Sequence, residues 1–182
     1  MYWKLRLLWW RLDKGAVALS LFFALVVGML ATAASAVLLQ REAQRAALRE
    51  SEARSLDCLA RNVYYEARGE SPRGQYAVAE VTMNRTASRL YPRTVCEVVY
   101  QKNWDPLRKR YVGAFSWTEL DRLDPPAGEA WQRAQKIAQD VYYRRHAPSL
   151  PGVLYYHATN IEPQWSSEHE LVARIGRHVF YR

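Results

Sequence analysis

The longest uninterrupted pattern in the chain is apolar. From Gly15 to Leu39, 25 residues pass without a charged side chain. A helix needs about 20 such residues to cross the hydrocarbon of a bilayer, so this run predicts a transmembrane helix. Residues 40–55 are mostly Gln, Arg, Glu, Ala and Ser and predict a short, solvated, helical stalk. From Leu56 onward apolar positions return at helical spacing. Leu56, Leu59, Ala60, Val63 and Ala67 predict a helix over about 57–66, with Gly69 as its stop. Ser71-Pro72 reads as the cap and first turn of a second helix, with Ala77, Val78, Val81 and Thr82 inward and its end near Arg85. Pro92 opens a third helix through Tyr100. A polar stretch over 102–124 holds Trp104, Phe115 and Trp117 without a period. After Gly128, the residues Ala130, Trp131, Ala134, Ile137, Ala138 and Val141 predict a fourth helix. Residues 153–157 and 178–181 predict two short strands. The expected fold is α+β and mainly helical, with a small β element, preceded by one N-terminal transmembrane helix. Residues 56–182 form its single candidate domain, of a common size.

Charge adds a direction to this picture. Lys4, Arg6, Arg11 and Lys14 face one acid, Asp13, in the first 14 residues. A basic flank stays cytoplasmic, so 1–14 reads as a cytoplasmic tail, 15–39 as a single-pass anchor in a bacterial inner membrane, and the remainder as extracytoplasmic. Trp3, Trp9 and Trp10 suit a membrane interface. The competing reading is a cleaved signal peptide, since Ala34-Ser35-Ala36 has the small-x-small form of a cleavage site. The whole chain carries +8, but residues 56–182, with 18 Lys+Arg and 14 Asp+Glu, carry only +4. That modest excess suits an anionic polymer such as cell wall or nucleic acid, though alone it says little, and no nucleic-acid partner is expected. Cys58 and Cys96 are the two cysteines. Outside the membrane they can form a disulfide, or else remain two buried thiols.

The candidate chemistry centres on Asn62-Val63-Tyr64-Tyr65-Glu66-Ala67-Arg68-Gly69-Glu70. A partly desolvated glutamate holds a proton near neutral pH and can deliver it to a leaving oxygen. The plainer reading of Glu66 is a helix-end carboxylate paired with Arg61 or Arg68. Glu70 reads as a capping or salt-bridging residue. Thr94 can hold a substrate group or simply cap the third helix. Tyr64, Tyr156 and Trp165 can stack on sugar faces or pack in the core. Gln75 and Asn84 read as structural. His146, His157, His169 and His178 lack the spacing of a metal-binding pair, and there is no P-loop or nucleophile elbow. No metal and no cofactor is expected.

Several segments, in order, resemble the spore-cortex-lytic family of cell wall hydrolases. They are Leu59-Ala60-Arg61-Asn62-Val63-Tyr64-Tyr65-Glu66-Ala67-Arg68-Gly69-Glu70, Gly74-Gln75-Tyr76-Ala77-Val78-Ala79, Met83-Asn84-Arg85, Tyr91-Pro92-Arg93-Thr94-Val95-Cys96-Glu97-Val98-Val99-Tyr100-Gln101, Phe115-Ser116-Trp117, Tyr155-Tyr156-His157-Ala158 and Gly176-Arg177-His178-Val179-Phe180-Tyr181. The resemblance implies a lysozyme-like fold. It also implies peptidoglycan as partner, cut between N-acetylmuramic acid and N-acetylglucosamine by a lytic transglycosylase with Glu66 as its catalytic residue. Tyr65 departs from the family's usual Gly or Phe and is expected to narrow the cleft. Ala114-Phe115-Ser116-Trp117 departs from it in lacking a cysteine and a glutamine. A water-using hydrolase, a non-catalytic wall-binding module and, more distantly, a zinc amidase are the competing classes.

Overall fold

The computed structural model describes residues 13–106 and 108–182. The basic residues at 4, 6 and 11 and the tryptophans at 3, 9 and 10 lie outside the described residues. The chain divides into two compact units, Met1–Glu50 and Ser51–Arg182.

Helix α1 spans Lys14–Ala67. Within the first unit it displays Leu19, Leu21, Phe22, Phe23, Leu25, Met29 and Leu30, each more than half exposed. It is the one described helix long and apolar enough to cross a membrane, and its apolar window is wholly unburied. The stalk expected over 40–55 is part of the same helix and exposed nearly throughout.

Within the second unit the end of α1 turns inward. Leu59 and Val63 are fully buried, and Cys58, Ala60, Tyr64 and Ala67 nearly so. They pack with Ala79, Val95, Val99, Phe115, Trp117, Ala134, Ile137 and Ala138. A buried amide ties three elements together at this point. Asn62 donates to Thr82 Oγ1 at 3.0 Å, and Trp117 Nε1 donates to Asn62 Oδ1 at 3.0 Å. Satisfied in this way, a fully buried polar side chain fixes register where an unpaired one would cost about 1–3 kcal/mol.

Helix α2, Pro72–Ala87, starts as expected from its Ser71 cap and Pro72. The third helix does not begin at Pro92. Helix α3 covers only Val95–Val99, and Thr94 caps it in a reciprocal capping box with Glu97. A proline cannot open a helix whose cap lies two residues later; the capping box sets the start. Helix α4 spans Gly128–Tyr142.

The polar stretch beyond Tyr100 is more ordered than its sequence predicts. Strands β1, Lys102–Asp105, and β2, Arg110–Gly113, form an antiparallel hairpin, followed by a 3-10 turn over Ser116–Glu119. Both strands are too short and too polar to show alternation. A second sheet has the order β3-β5-β4, all antiparallel. Strand β3 is Tyr155–Ala158, β4 is Leu171–Ile175 and β5 is His178–Tyr181. The two expected strands are thus β3, displaced by two residues at its start, and β5. β4 is an addition; its half-exposed pattern, broken by a bulge between Leu171 and Ala173, hides its period. The central strand β5 is buried along its length. Behind it Ala77, Val81, Leu150, Val153, Ile175 and Phe180 form a second apolar cluster.

Candidate active site

Glu66 sits in the last turn of α1, where the sequence changes from core-forming residues to the Arg68-Gly69 turn. The side chain is half-buried and opens into a cleft of about 840 Å3. The walls come from three places: the hairpin and the 114–116 segment, the Arg85 end of α2, and the β3–β5 sheet with the 161–169 loop. Tyr156, on β3, donates its hydroxyl to Glu66 Oε2 at 3.1 Å. Arg85 is buried; its Nε donates to Leu154 O at 2.8 Å, and its guanidinium lies over the rings of Tyr91 and Phe115 at 5.1 and 5.3 Å.

These neighbours set the acidity of Glu66. Burial pushes its carboxyl above the ordinary value, while the Tyr156 hydroxyl and the Arg85 charge pull part of the way back. The helix C-terminus, the negative end of the dipole, acts in the same direction as burial. Tyr156 is itself pushed well above its usual range, first by burial and then by the Glu66 charge, so it remains a donor. The arrangement is a carboxyl with a raised proton affinity, bonded in a cleft by a hydroxyl donor, with a cation nearby to stabilise its anion.

The paired-carboxylate reading of Glu66 is not what is found: Arg61 bonds Asp57 at 2.7 Å, and Arg68 reaches the Tyr64 hydroxyl at 3.3 Å. Glu70 lies away from the cleft. Its carboxylate is 5% exposed and accepts from Arg177 Nε at 2.7 Å and Arg177 N at 3.1 Å. Burial pushes Glu70 up, but these hydrogen bonds outweigh it and hold the carboxyl below its usual range. Glu70 thus clamps the end of α1 to the β4–β5 turn.

The residues proposed to touch substrate separate into two groups. Tyr156 and Trp165 line the cleft. Trp165 stands among Tyr155, His157, His169 and Tyr181, at centroid distances of 5.6–5.8 Å. Tyr64 and Thr94 do not line it. The Tyr64 ring is buried edge-on against Tyr65 and Trp131, because the same helical spacing that aims Glu66 outward aims Tyr64 into the core. Thr94 is consumed by its capping box. Tyr65 does not narrow the cleft. It stacks on Trp117 at 4.7 Å and donates to Asp124 O at 2.9 Å. Gln75 and Asn84 are structural: Gln75 donates to Glu70 O, and Asn84 donates to Leu150 O and Val153 O. Cys58 and Cys96 form a disulfide with Cα atoms 5.3 Å apart, joining α1 to α3.

Two cleft residues escape sequence reasoning. Arg85 reads in sequence only as the end of the second helix, and its contacts reveal a buried cation. His178 lies at the Ala158 position of the β3–β5 ladder, edge-on to Tyr156 at 5.2 Å. Burial lowers its pKa despite the Glu70 charge, and its buried Nδ1 has no hydrogen-bond partner among the described residues. His157 is satisfied differently: Nδ1 faces Ala158 O and Nε2 faces the Tyr181 hydroxyl, each at 2.9 Å. A carbonyl only accepts, so Nδ1 carries the proton.

A carboxyl whose acidity is weakened by burial, open to a cleft on a helical α+β scaffold, is the kind of group that general-acid catalysis uses. Comparison with known proteins places it further. Residues 69–181 match the family described as Cell Wall Hydrolase, and the chain belongs to that family. The match starts three residues after Glu66. The chain is 30% identical over 122 residues to the spore cortex-lytic enzyme of Bacillus subtilis, covering 67% of this chain and 35% of that protein. It is 27% identical over 128 residues to the same enzyme of Oceanobacillus iheyensis, covering 69% and 40%. The chain thus spans less than half the length of the curated relatives it matches. Among solved structures, the catalytic domain of the germination-specific lytic transglycosylase SleB from Bacillus anthracis superposes with a TM-score of 0.56 at 26% identity, covering 70% of this chain and 93% of that one. The Bacillus cereus SleB catalytic domain gives 0.51 at 26%, covering 70% and 89%.

Proposed function

We propose that the protein cleaves the glycan strands of peptidoglycan between N-acetylmuramic acid and N-acetylglucosamine, as a lytic transglycosylase with Glu66 as its single catalytic acid. The observation that carries this reading is the Glu66 carboxyl, raised by burial and held by Tyr156 within the cleft. Protonated Glu66 gives its proton to the glycosidic oxygen as the bond to C1 breaks. The N-acetyl group of the muramic acid stabilises the cationic carbon, which is substrate assistance without a second carboxylate. Glu66, now an anion beside Arg85, takes the proton of the C6 hydroxyl, and the C6 oxygen closes on C1 to a 1,6-anhydro ring. The carboxyl ends as it began. Trp165 and its aromatic neighbours offer a stacking surface for the bound strand.

Membrane attachment belongs to the same reading. The exposed apolar length of α1 over 15–39 supports a single-pass inner-membrane anchor with the second unit outside the cytoplasm. Resistance of the mature protein to alkaline extraction from membranes is expected, and a mature chain starting at Val37 would instead establish cleavage after Ala36.

Mass spectrometry of muropeptides tests the chemistry, using the wild-type protein and Glu66→Gln on purified peptidoglycan. Anhydro products from wild type alone are expected. Products carrying added water indicate a hydrolase, and direct attention to Asp105 and Glu119, the other carboxylates on the cleft wall. Binding with no product from either protein indicates a wall-binding module.

A further inference from the structure

The hairpin that walls the cleft has a second face. In its register Asn103 opposes Val112 and Trp104 opposes Tyr111. Asn103, Asp105 and Val112 line the cleft. Side chains alternate along a strand, so Trp104 and Tyr111 point the other way. They are 56% and 62% exposed, with ring centroids 5.4 Å apart and planes at 71°. A cross-strand aromatic pair supports a hairpin by about 0.2–1 kcal/mol. That local support is small, and it leaves most of both ring surfaces in water, where a ligand can reach them.

We propose that this outer face holds a glycan strand of peptidoglycan, distinct from the strand in the cleft. The inference rests on peptidoglycan being the substrate. Aromatic faces bind the C–H faces of sugars while indole N–H and phenol O–H reach their hydroxyls. The centroid spacing is close to the length of one sugar along a β-1,4 glycan. Lys102, two residues before Trp104 and therefore on the same face, is exposed, as is Lys109 in the turn. These charges match the carboxylates of stem peptides. The hairpin is a single two-stranded layer, so a strand being cut and a strand being held would run on its two sides.

The test uses the full chain in detergent, with Glu66→Gln as background so that the wall is not consumed. Trp104→Thr/Tyr111→Thr keeps β-forming residues but removes both rings. Its retention on insoluble peptidoglycan is expected to fall about tenfold, the equivalent of 1.4 kcal/mol. In the Glu66-containing protein, turnover of short soluble glycans is expected to stay within twofold. Lys102→Gln, which touches no packing, is expected to weaken retention at low salt only. Unchanged retention in both variants overturns the proposal, as does a parallel loss of retention and soluble-glycan turnover in the double variant with Lys102→Gln silent. Lipid-dependent slowing of amide exchange over 102–113 in phosphatidylglycerol-containing vesicles, with wall retention intact, would assign the face to the membrane and also overturn it. Because retention is read without catalysis, it can fail or stand independently of the transglycosylase reaction.

Discussion

Glu66 is costly to the fold in its charged form. Its folded pKa is raised by burial, so the folded state binds the proton more tightly than the unfolded chain does. Stability therefore falls as pH rises from the ordinary carboxylate value through the raised one. Glu66→Gln removes that penalty while keeping an oxygen for the Tyr156 hydroxyl. The variant is expected to melt higher than wild type at neutral pH, with the difference vanishing in acid, in thermal scans across pH. The same substitution is expected to lower turnover by about 10²–10⁴-fold, the usual worth of a general acid. Tyr156→Phe removes a bond that favours the charged carboxylate, so the alkaline limb of the pH–rate profile is expected to move upward. A limb that moves down would show that Tyr156 does not donate to Glu66. Glu66 was legible in the sequence from its place at a helix end within a family pattern. Its partners were not: the Tyr156 bond spans 90 residues, and no local pattern records a contact at that separation.

At the scale of elements, the legible parts were those with a strong period or a clear punctuation mark. The buried end of α1, the Ser71-Pro72 start of α2 and the face of α4 follow from apolar spacing. The hairpin was missed because Lys102–Asp105 and Arg110–Gly113 carry cross-strand pairing rather than burial. Two links between elements invite measurement. Gly176 has a φ of +57°, and a Cβ there would collide with the Glu70 carboxylate. Gly176→Ala is expected to destabilise the fold by about 1–3 kcal/mol in urea denaturation, since it strains the turn and disturbs the Glu70–Arg177 clamp together. The Cys58–Cys96 disulfide closes a separation of 38 residues. Reduction, or Cys58→Ser, is expected to cost about 2–5 kcal/mol, read as a lower denaturant midpoint under dithiothreitol.

For the molecule as a whole, the residues divide between two tasks. The Met1–Glu50 unit spends its described surface on exposed apolar side chains, and the Ser51–Arg182 unit builds two apolar clusters and the cleft. Half of the net charge lies on fewer than a third of the residues: +4 of +8 falls in residues 1–55, against 127 residues that share the other +4. That asymmetry was readable at once, because charge and hydropathy need no tertiary contact to be seen. The sheet was harder to read, since its order β3-β5-β4 places the strand latest in sequence between the other two. β3, which carries Tyr156, has its backbone partners on β5 and so has no ladder until residues 178–181 are present. During synthesis, then, a chain that has emerged only as far as β4 has no β3–β5 ladder to hold Tyr156 beside Glu66. The ribosome must deliver residue 181 before that ladder can close in full. On the proposed reaction, a chain stopped at Ile175 is therefore expected to yield no glycan cleavage even where helical circular dichroism persists, and the last few residues to be translated are the ones that complete the site.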